Sequence, residues 1–169
     1  MTLLDEIEAC IPALRRYARA LARDRDRADD LVQDCLERAV AGRTRWRGEG
    51  PVRAWLFRIL LNRFRDQQRG AKAGLRLVPS EAMVEATRPG DQEDRLALRE
   101  VHDAIGRLPT DQRAALLLVA LEGFTLAEAA AALDIPEGTL TSRLARARQA
   151  LRRETGRDGG PGDRMEVVR

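Results

Sequence analysis

The sequence has few cysteines and histidines, two residue types on which many catalytic and metal centres depend. Among its 169 residues there are two cysteines and one histidine. Cys10 and Cys35 lack the close spacing of a metal or redox motif, which favours two buried free thiols. No nucleophile, metal-ligand or phosphate-loop pattern is recognisable. We therefore expect a protein that is not an enzyme and that has no cofactor, metal ion or small-molecule substrate.

Long apolar runs and lysines are also lacking. No segment approaches the roughly 20 apolar residues of a membrane span. The N-terminus does not have the flanked apolar run of a signal peptide. We therefore expect a cytoplasmic protein without membrane insertion. Lys72 is the only lysine, so nearly all of the positive charge is arginine.

The charges that are present are segregated along the chain. The formal net charge is only +3, but residues 43–72 hold nine basic residues against two acids. Residues 81–103 hold seven acids against three arginines. Because the basic residues are concentrated in particular segments, their placement points to a nucleic acid more clearly than their total does.

Apolar residues recur at helical spacing in most of the chain, and no segment has the alternation of a strand. The pattern predicts an all-α protein of two small helical domains joined by a flexible linker. The expected domains are residues 1–72 and 93–153, with a linker at 73–92 and a disordered tail at 154–169. In the first domain the predicted helices cover about 3–22, 28–41 and 51–69, with a polar break at 24–27.

The second domain is predicted to have about four helices. Its first has an apolar stripe at Leu98, Val101, Ile105 and Leu108. Pro109 and Thr110 are expected to end this helix and cap the next one.

The most informative segment is residues 123–153, which reads as a short helix, a tight turn and a second helix. Leu140, Leu144, Ala147 and Leu151 recur at intervals of four, three and four, so one face of the second helix is predicted to be buried. Ile135 is the expected buried anchor of the turn. The residues left outside offer hydroxyl, amide and guanidinium groups suited to a DNA major groove. The alternative is a surface helix hairpin whose arginines are only solvated.

The first domain offers two further candidate binding surfaces. An aromatic residue, Trp46, lies in a basic, glycine-punctuated loop before the arginine-rich helix at 51–69. This combination suits the backbone and unstacked bases of single-stranded DNA, although a basic helix without a ligand is the alternative. The second helix has an acidic polar face, which by itself indicates only a solvated surface.

Three segments resemble regions of the extracytoplasmic-function (group 4) sigma factors, the bacterial RNA polymerase subunits that choose promoters. Residues 28–34 resemble region 2.2 of that family. Residues 47–49, 54–59 and 62–63 resemble regions 2.3 and 2.4. Residues 108–113, 138–144 and 146–148 resemble region 4. The three motifs stand in the family's order and cover nearly the whole chain.

The resemblance implies a region 2 bundle and a region 4 helix-turn-helix, with core RNA polymerase and promoter DNA as partners. The resemblance assigns binding of the clamp helices of the largest polymerase subunit to Asp30, Gln33, Asp34 and Glu37. Reading of the −10 element falls to Trp46, Arg47, Gly48, Arg58, Asn62, Arg65 and Asp66. Reading of the −35 element falls to Thr141, Ser142, Arg143, Ala145, Arg146 and Arg148.

Two segments, residues 25–30 and residues 128–130 (Glu-Ala-Ala, where many relatives have Glu-Ile-Ala), resemble the alphaproteobacterial general-stress branch of the family. The resemblance implies a stress response in which a small helical anti-sigma protein holds the sigma factor inactive. A phosphorylated response regulator with a sigma-like decoy then releases it. The chain departs from the family pattern at Asp134, where glycine is usual, and at Thr141, where a basic residue is usual. Two alternatives are a sigma-like decoy that binds an anti-sigma protein without binding DNA, and a plain helix-turn-helix regulator.

Overall fold

The computed structural model describes residues 2–48, 50–73 and 92–156. These residues form seven α-helices and one 3₁₀ turn, without a strand. The helices are α1 (Leu3–Ala22), α2 (Arg25–Gly42), α3 (Val52–Ala73), α4 (Gln92–Arg107), α5 (Thr110–Ala120), α6 (Leu126–Leu133) and α7 (Glu137–Thr155), and the 3₁₀ turn is Arg43–Arg45. None of the described helices has both the length and the apolar character needed to cross a bilayer.

Two predicted boundaries fall partly outside the described residues. Residues 74–91 of the predicted linker and residues 157–169 of the predicted tail lie there. The first and last residues of that linker are helical, because α3 continues to Ala73 and α4 begins at Gln92. The start of the predicted tail is also helical, since α7 continues to Thr155.

Side-chain caps explain where the first two helices begin. Thr2 and Asp5 form a reciprocal capping box at the start of α1. Asp24 accepts a hydrogen bond of 2.9 Å from the backbone N–H of Arg27, so α2 begins at Arg25. The predicted polar break at 24–27 was wrong, because its polar residues form the cap and first turn of α2.

Three details of the predicted helix pattern were also wrong. Leu98 is 61% exposed, so it lies off the buried side of α4. Thr110 is the first residue of α5, and the N-cap position before it belongs to Pro109, which has no capping side chain. Ile135 is only half-buried, because it follows the end of α6 at the edge of the helix-turn-helix.

The helices form two bundles that pack against each other. The N-terminal bundle (α1–α3) has α2 packed on both α1 and α3, and the C-terminal bundle (α4–α7) is centred on α5 and α7. The bundles meet where α1 packs on α5 and α3 packs on α6. At this junction the ring of Phe57 lies 5.1 Å from that of Tyr17 and 5.0 Å from that of Phe124. The buried Tyr17 hydroxyl donates a hydrogen bond of 3.0 Å to the Ala114 carbonyl.

Both cysteines are free thiols, as predicted, but only one is fully buried. The Cys35 Sγ lies 3.3 Å from the Leu56 carbonyl oxygen and donates to it. Burial raises the pKa of Cys35 to about 12, so the thiol stays protonated at neutral pH. Cys10 is half-buried, and the same cause raises its pKa.

The helix-turn-helix is held in shape by a cap at each end of α6. The Thr125 hydroxyl accepts from the Glu128 N–H at 3.2 Å, and the Glu128 carboxylate accepts from the Thr125 N–H at 2.9 Å. At the other end Asp134 adopts a left-handed conformation with φ 55°, and its N–H bonds back to α6. This turn sends the chain from α6 into α7.

Thr125→Ala is expected to lower the free energy of unfolding by about 1 kcal/mol, the usual cost of losing an N-cap side chain. Chemical denaturation measures it. Thr110→Ala is the matched control, because Thr110 lies at the start of a helix without serving as its N-cap. Equal losses for the two variants would contradict the capping role.

The stability that the Thr125–Glu128 cap contributes is expected to depend on pH. Hydrogen bonds from Thr125 hold the pKa of the Glu128 carboxyl below its usual range. A lowered folded-state pKa adds stability above the unfolded pKa of about 4.3, and this stability is lost as the pH falls through the folded pKa. Alanine keeps the Thr125 N–H, which is the larger cause of the lowered pKa, and removes only the hydroxyl donor. The difference between Thr125→Ala and the unchanged protein should therefore shrink by the share of the hydroxyl as the carboxyl is protonated below about pH 4. A constant difference would contradict this source of stability.

Candidate DNA and polymerase interfaces

Two stacked tryptophans form one wall of an open pocket in the N-terminal bundle. The rings of Trp46 and Trp55 lie 4.7 Å apart with 30° between their planes. The pocket has a volume of about 320 Å³ and is lined by Arg38, Gly42, Trp46, Trp55, Ile59 and Asn62. Flat apolar rings beside an amide and a guanidinium suit one unstacked base, which stacks on its face and is recognised at its edge. We call this set of six residues the tryptophan pocket.

The residues predicted to read the −10 element lie in and around this pocket. Trp46 and Asn62 line it. Asn62 and Asp66 are both exposed on α3, four residues apart, and Arg47 is exposed in the preceding loop. Gly48 has φ +72°, a conformation that suits glycine and lets the loop turn beside the pocket.

Arg58 and Arg65 occupy a neighbouring side of α3, where the C-terminal bundle engages both. An Arg58 Nη2 lies 3.6 Å from an Asp134 carboxylate oxygen. An Arg65 Nη2 donates a hydrogen bond of 2.9 Å to the Leu133 carbonyl oxygen. Of the seven predicted −10 residues, four are exposed near the pocket and Trp46 is half-buried in its wall, whereas Arg58 and Arg65 contact the C-terminal bundle.

The predicted polymerase-binding face is mostly an exposed acidic surface of α2. Asp30, Gln33 and Glu37 are exposed, and the Gln33 amide donates to the Glu37 carboxylate at 3.1 Å. Asp34 differs, because its carboxylate accepts a hydrogen bond of 2.7 Å from Arg63 Nε and is half-buried. Asp34 is thus less accessible than the other three residues of this predicted set, because its carboxylate joins α2 to α3.

On α7 the predicted buried stripe is confirmed at Leu140, Leu144 and Ala147. The exposed residues on the other side include Thr141, Ser142, Ala145 and Arg146. The Thr141 and Ser142 hydroxyls donate to the carbonyls of Glu137 and Gly138 at 2.9 and 3.0 Å. Since each hydroxyl has one hydrogen, the lone pairs that remain would accept from a base amino group.

Two of the arginines predicted for the −35 element are not free in this structure. Arg143 is half-buried and pairs with the Asp111 carboxylate at 3.4 Å. Arg148 is half-buried, and its Nη2 is enclosed without a hydrogen-bond partner. Arg148 is therefore less accessible to DNA than the exposed residues of this set. Arg146 is thus the guanidinium of this set that is best placed for a groove.

The sequence analysis missed a cluster of side chains between the bundles. The Glu122 side chain has no exposed surface and accepts hydrogen bonds from Arg16 Nε and Nη2 at 3.0 and 2.8 Å. Arg53 Nη2 also reaches this carboxylate at 3.0 Å, and its guanidinium lies 4.5 Å from the centre of the Phe124 ring. The available signal was one acid at the end of an otherwise apolar segment, residues 114–124, because a buried charge requires a partner.

Comparisons with known proteins match both bundles. The family model described as the Sigma2 domain of PhyR matches residues 7–61, and the model described as Sigma-70, region 4 matches residues 98–151. A similar curated protein is the ECF RNA polymerase sigma factor EcfG of Rhodopseudomonas palustris. It is 38% identical over 172 aligned positions, which span 99% of this chain and 94% of that protein.

Two solved structures are similar over most of their length. The sigma factor RpoE of Bartonella quintana, in complex with the anti-sigma factor NepR, has a TM-score of 0.79 at 33% identity, covering 92% of this chain and 97% of that one. CnrH, in complex with the cytosolic domain of CnrY, has a TM-score of 0.67 at 29% identity, covering 93% and 89%.

Proposed function

The chain belongs to the extracytoplasmic-function sigma factors of bacterial RNA polymerase, which direct the core enzyme to promoters, and we propose how its surfaces divide that work. The acidic face of α2 binds core polymerase, the tryptophan pocket with α3 reads the −10 element, and α7 reads the −35 element. The domains that carry these roles are the proposed region 2 unit, residues 1–72, and region 4 unit, residues 93–153. The observation that carries the proposal is that each bundle exposes its own set of side chains of types that suit nucleic acid: the tryptophan pocket on one and the polar outer face of α7 on the other.

At the −10 element the pocket would hold one base of the melted strand. Holding a base outside the stack costs a few kcal/mol, which stacking and hydrogen bonds must offset. The tryptophan rings supply the stacking surface, and the Asn62 amide can both donate to and accept from a base edge. Arg47 and the basic side of α3 would contact the flanking phosphates.

At the −35 element α7 would lie in the major groove with Ser142 and Arg146 toward the bases. They are four residues apart and both exposed, so they project from successive turns of one face. Arg152 and Arg153 in the last turn are exposed too and would meet phosphates. Arg143 would have to leave Asp111 before it could contact DNA.

We assign the chain to the general-stress branch and propose that a small anti-sigma protein holds it inactive in the cytoplasm. The assignment is supported by the similarity to EcfG and by the match of α1–α3 to the PhyR model. Both similar solved sigma factors were determined with an anti-sigma partner or a partner's cytosolic domain. On this chain the exposed Leu96 and Leu98 of α4 offer apolar surface for such a partner.

The decoy alternative is disfavoured by the exposure of residues that are predicted to face DNA. A decoy that binds only an anti-sigma protein would not need a base-sized pocket or the polar outer face of α7. The plain regulator is disfavoured by the acidic face of α2 and by the similarity to sigma factors along nearly the whole chain.

Asp30→Arg is expected to weaken binding to core polymerase about fivefold, through charge repulsion at the edge of an interface. Binding of a labelled protein to purified core enzyme measures this. Glu8→Arg is the matched control, because Glu8 is an exposed acid on α1 outside the proposed face. Both variants should keep the stability of the unchanged protein within about 0.5 kcal/mol. If the two variants bound core polymerase with equal affinity, this face of α2 would be only a solvated surface.

A further inference from the structure

One arginine of α7 is paired with an acid of its own bundle. The Nη2 of Arg143 lies 3.4 Å from a carboxylate oxygen of Asp111, which is in the first turn of α5. The Arg143 side chain is 22% exposed, whereas the Asp111 side chain is 61% exposed. The Nη1 of Arg143 is enclosed and has no hydrogen-bond partner among the described residues. The charge of Arg143 is therefore balanced, but not all of its donors are satisfied.

Asp111 is the fixed partner of this pair. It lies in the first turn of α5, where the free backbone N–H groups carry a partial positive charge that stabilises a carboxylate. Helix α5 also packs on α7, so the acid stays beside the arginine wherever α7 is placed. Arg143 has the longer side chain, with more rotatable bonds. The arginine is therefore the member of the pair that can turn toward DNA.

We propose that Asp111 is an internal competitor of DNA for Arg143, and that it limits the strength with which α7 binds every −35 element. This inference rests on the proposed −35 role of α7 and gives that site a positioning residue. A guanidinium paired with a carboxylate attracts a phosphate less than a free one does, and the carboxylate repels the phosphate. DNA must therefore break the Asp111–Arg143 pair before it gains a contact from Arg143.

The position of Arg143 on α7 directs the released side chain to the DNA backbone. Arg143 is half-buried next to Leu144 of the buried stripe, at the edge of the outer face. Ser142 and Arg146 are exposed on the side that would meet the bases. A guanidinium at the edge of a helix in the groove meets phosphates, which carry no sequence information. Release of Arg143 should therefore strengthen binding to all −35 sequences alike.

The test compares Asp111→Asn with the unchanged full-length chain, each assembled with core polymerase. The probe is a promoter fragment whose start site depends on this protein, randomised over its −35 element, and its affinity is measured at several salt concentrations. Glu100→Gln is the matched control, because Glu100 is an exposed acid on α4 and its loss changes the net charge equally. Arg143→Gln and the double variant with Asp111→Asn complete a double-mutant cycle.

We expect Asp111→Asn to raise the affinity for all −35 variants about threefold, which is the effect that an exposed ion pair has on an equilibrium. The salt dependence should become steeper by about one unit, because one more phosphate is contacted. Both changes should disappear when residue 143 is glutamine, since Asp111 acts through Arg143. Glu100→Gln should change neither quantity.

Two results would overturn the competition: Asp111→Asn binding no more tightly than Glu100→Gln, or a gain that persists in the absence of Arg143. A gain confined to −35 variants with one particular base pair would show that Arg143 reads a base, and would overturn the general limit on affinity. The −35 role of α7 is tested separately by Arg146→Ala. If that variant left the −35 profile unchanged, the role of α7 would fail and this inference with it.

Discussion

Asn62→Ala is expected to lower open-complex formation about tenfold while closed-complex binding changes little. Asn62 lines the tryptophan pocket and is exposed on α3. Its amide is the neutral group of the pocket that can both donate to and accept from a base edge. The interaction exists only after the base has left the duplex, so its loss affects the melted state alone. A good base contact is worth about 1–3 kcal/mol, which spans a tenfold change in an equilibrium constant.

Permanganate footprinting measures the melted complex, and gel shift under non-melting conditions measures the closed one. Gln67→Ala is the matched control, because Gln67 is an amide on the same helix that does not line the pocket. Equal losses in footprinting and gel shift would remove the base-reading role from Asn62 and leave it a general contact.

Arg146→Ala is expected to relax the preference for one base pair of the −35 element by about 1–3 kcal/mol, the worth of a bidentate contact to a base. Arg146 is exposed on the outer face of α7, one turn beyond Ser142. Arg143 and Arg148 are half-buried, so they are weaker candidates for the same role. Arg146 therefore carries most of the expected discrimination by guanidinium groups.

A library of promoter variants measures this preference position by position. Arg152→Ala is the control, because Arg152 is exposed in the last turn of α7 and would contact a phosphate. Its loss should weaken binding to all sequences alike and reduce the salt dependence by about one unit. A preference profile of Arg146→Ala identical to that of the unchanged protein would withdraw the base-reading assignment.

The local features of the fold could be predicted because their causes are local. Helix α6 is the short helix predicted near the start of residues 123–153, and its bounds are set locally, since a capping box begins it and a left-handed residue ends it. Helix α1 spans Leu3–Ala22, which is the range predicted for it. The predicted start of α2 was wrong by about one turn, because the polar cap at Asp24 was interpreted as a break between two helices.

The candidate site was predicted less completely because its remaining determinants are distant in sequence. Asp34 reads as one more acid of an exposed face, yet its partner Arg63 lies 29 residues away. Glu122 is paired with Arg16 across 106 residues, and the spacing of apolar residues along the chain does not predict such a pair. The arginines of α3 and α7 are predicted to face DNA from their residue type, but their partners within the protein are seen only once the helices are packed.

The most direct test of the central claim is transcription in vitro by core polymerase on genomic fragments, with and without this protein, followed by mapping of the start sites. We predict start sites that depend on the protein, each preceded by one shared −10 and one shared −35 sequence. Asp30→Arg should weaken initiation at all of them. Stable folding without any protein-dependent start site, together with retained binding to an anti-sigma protein, would contradict the account and identify a decoy.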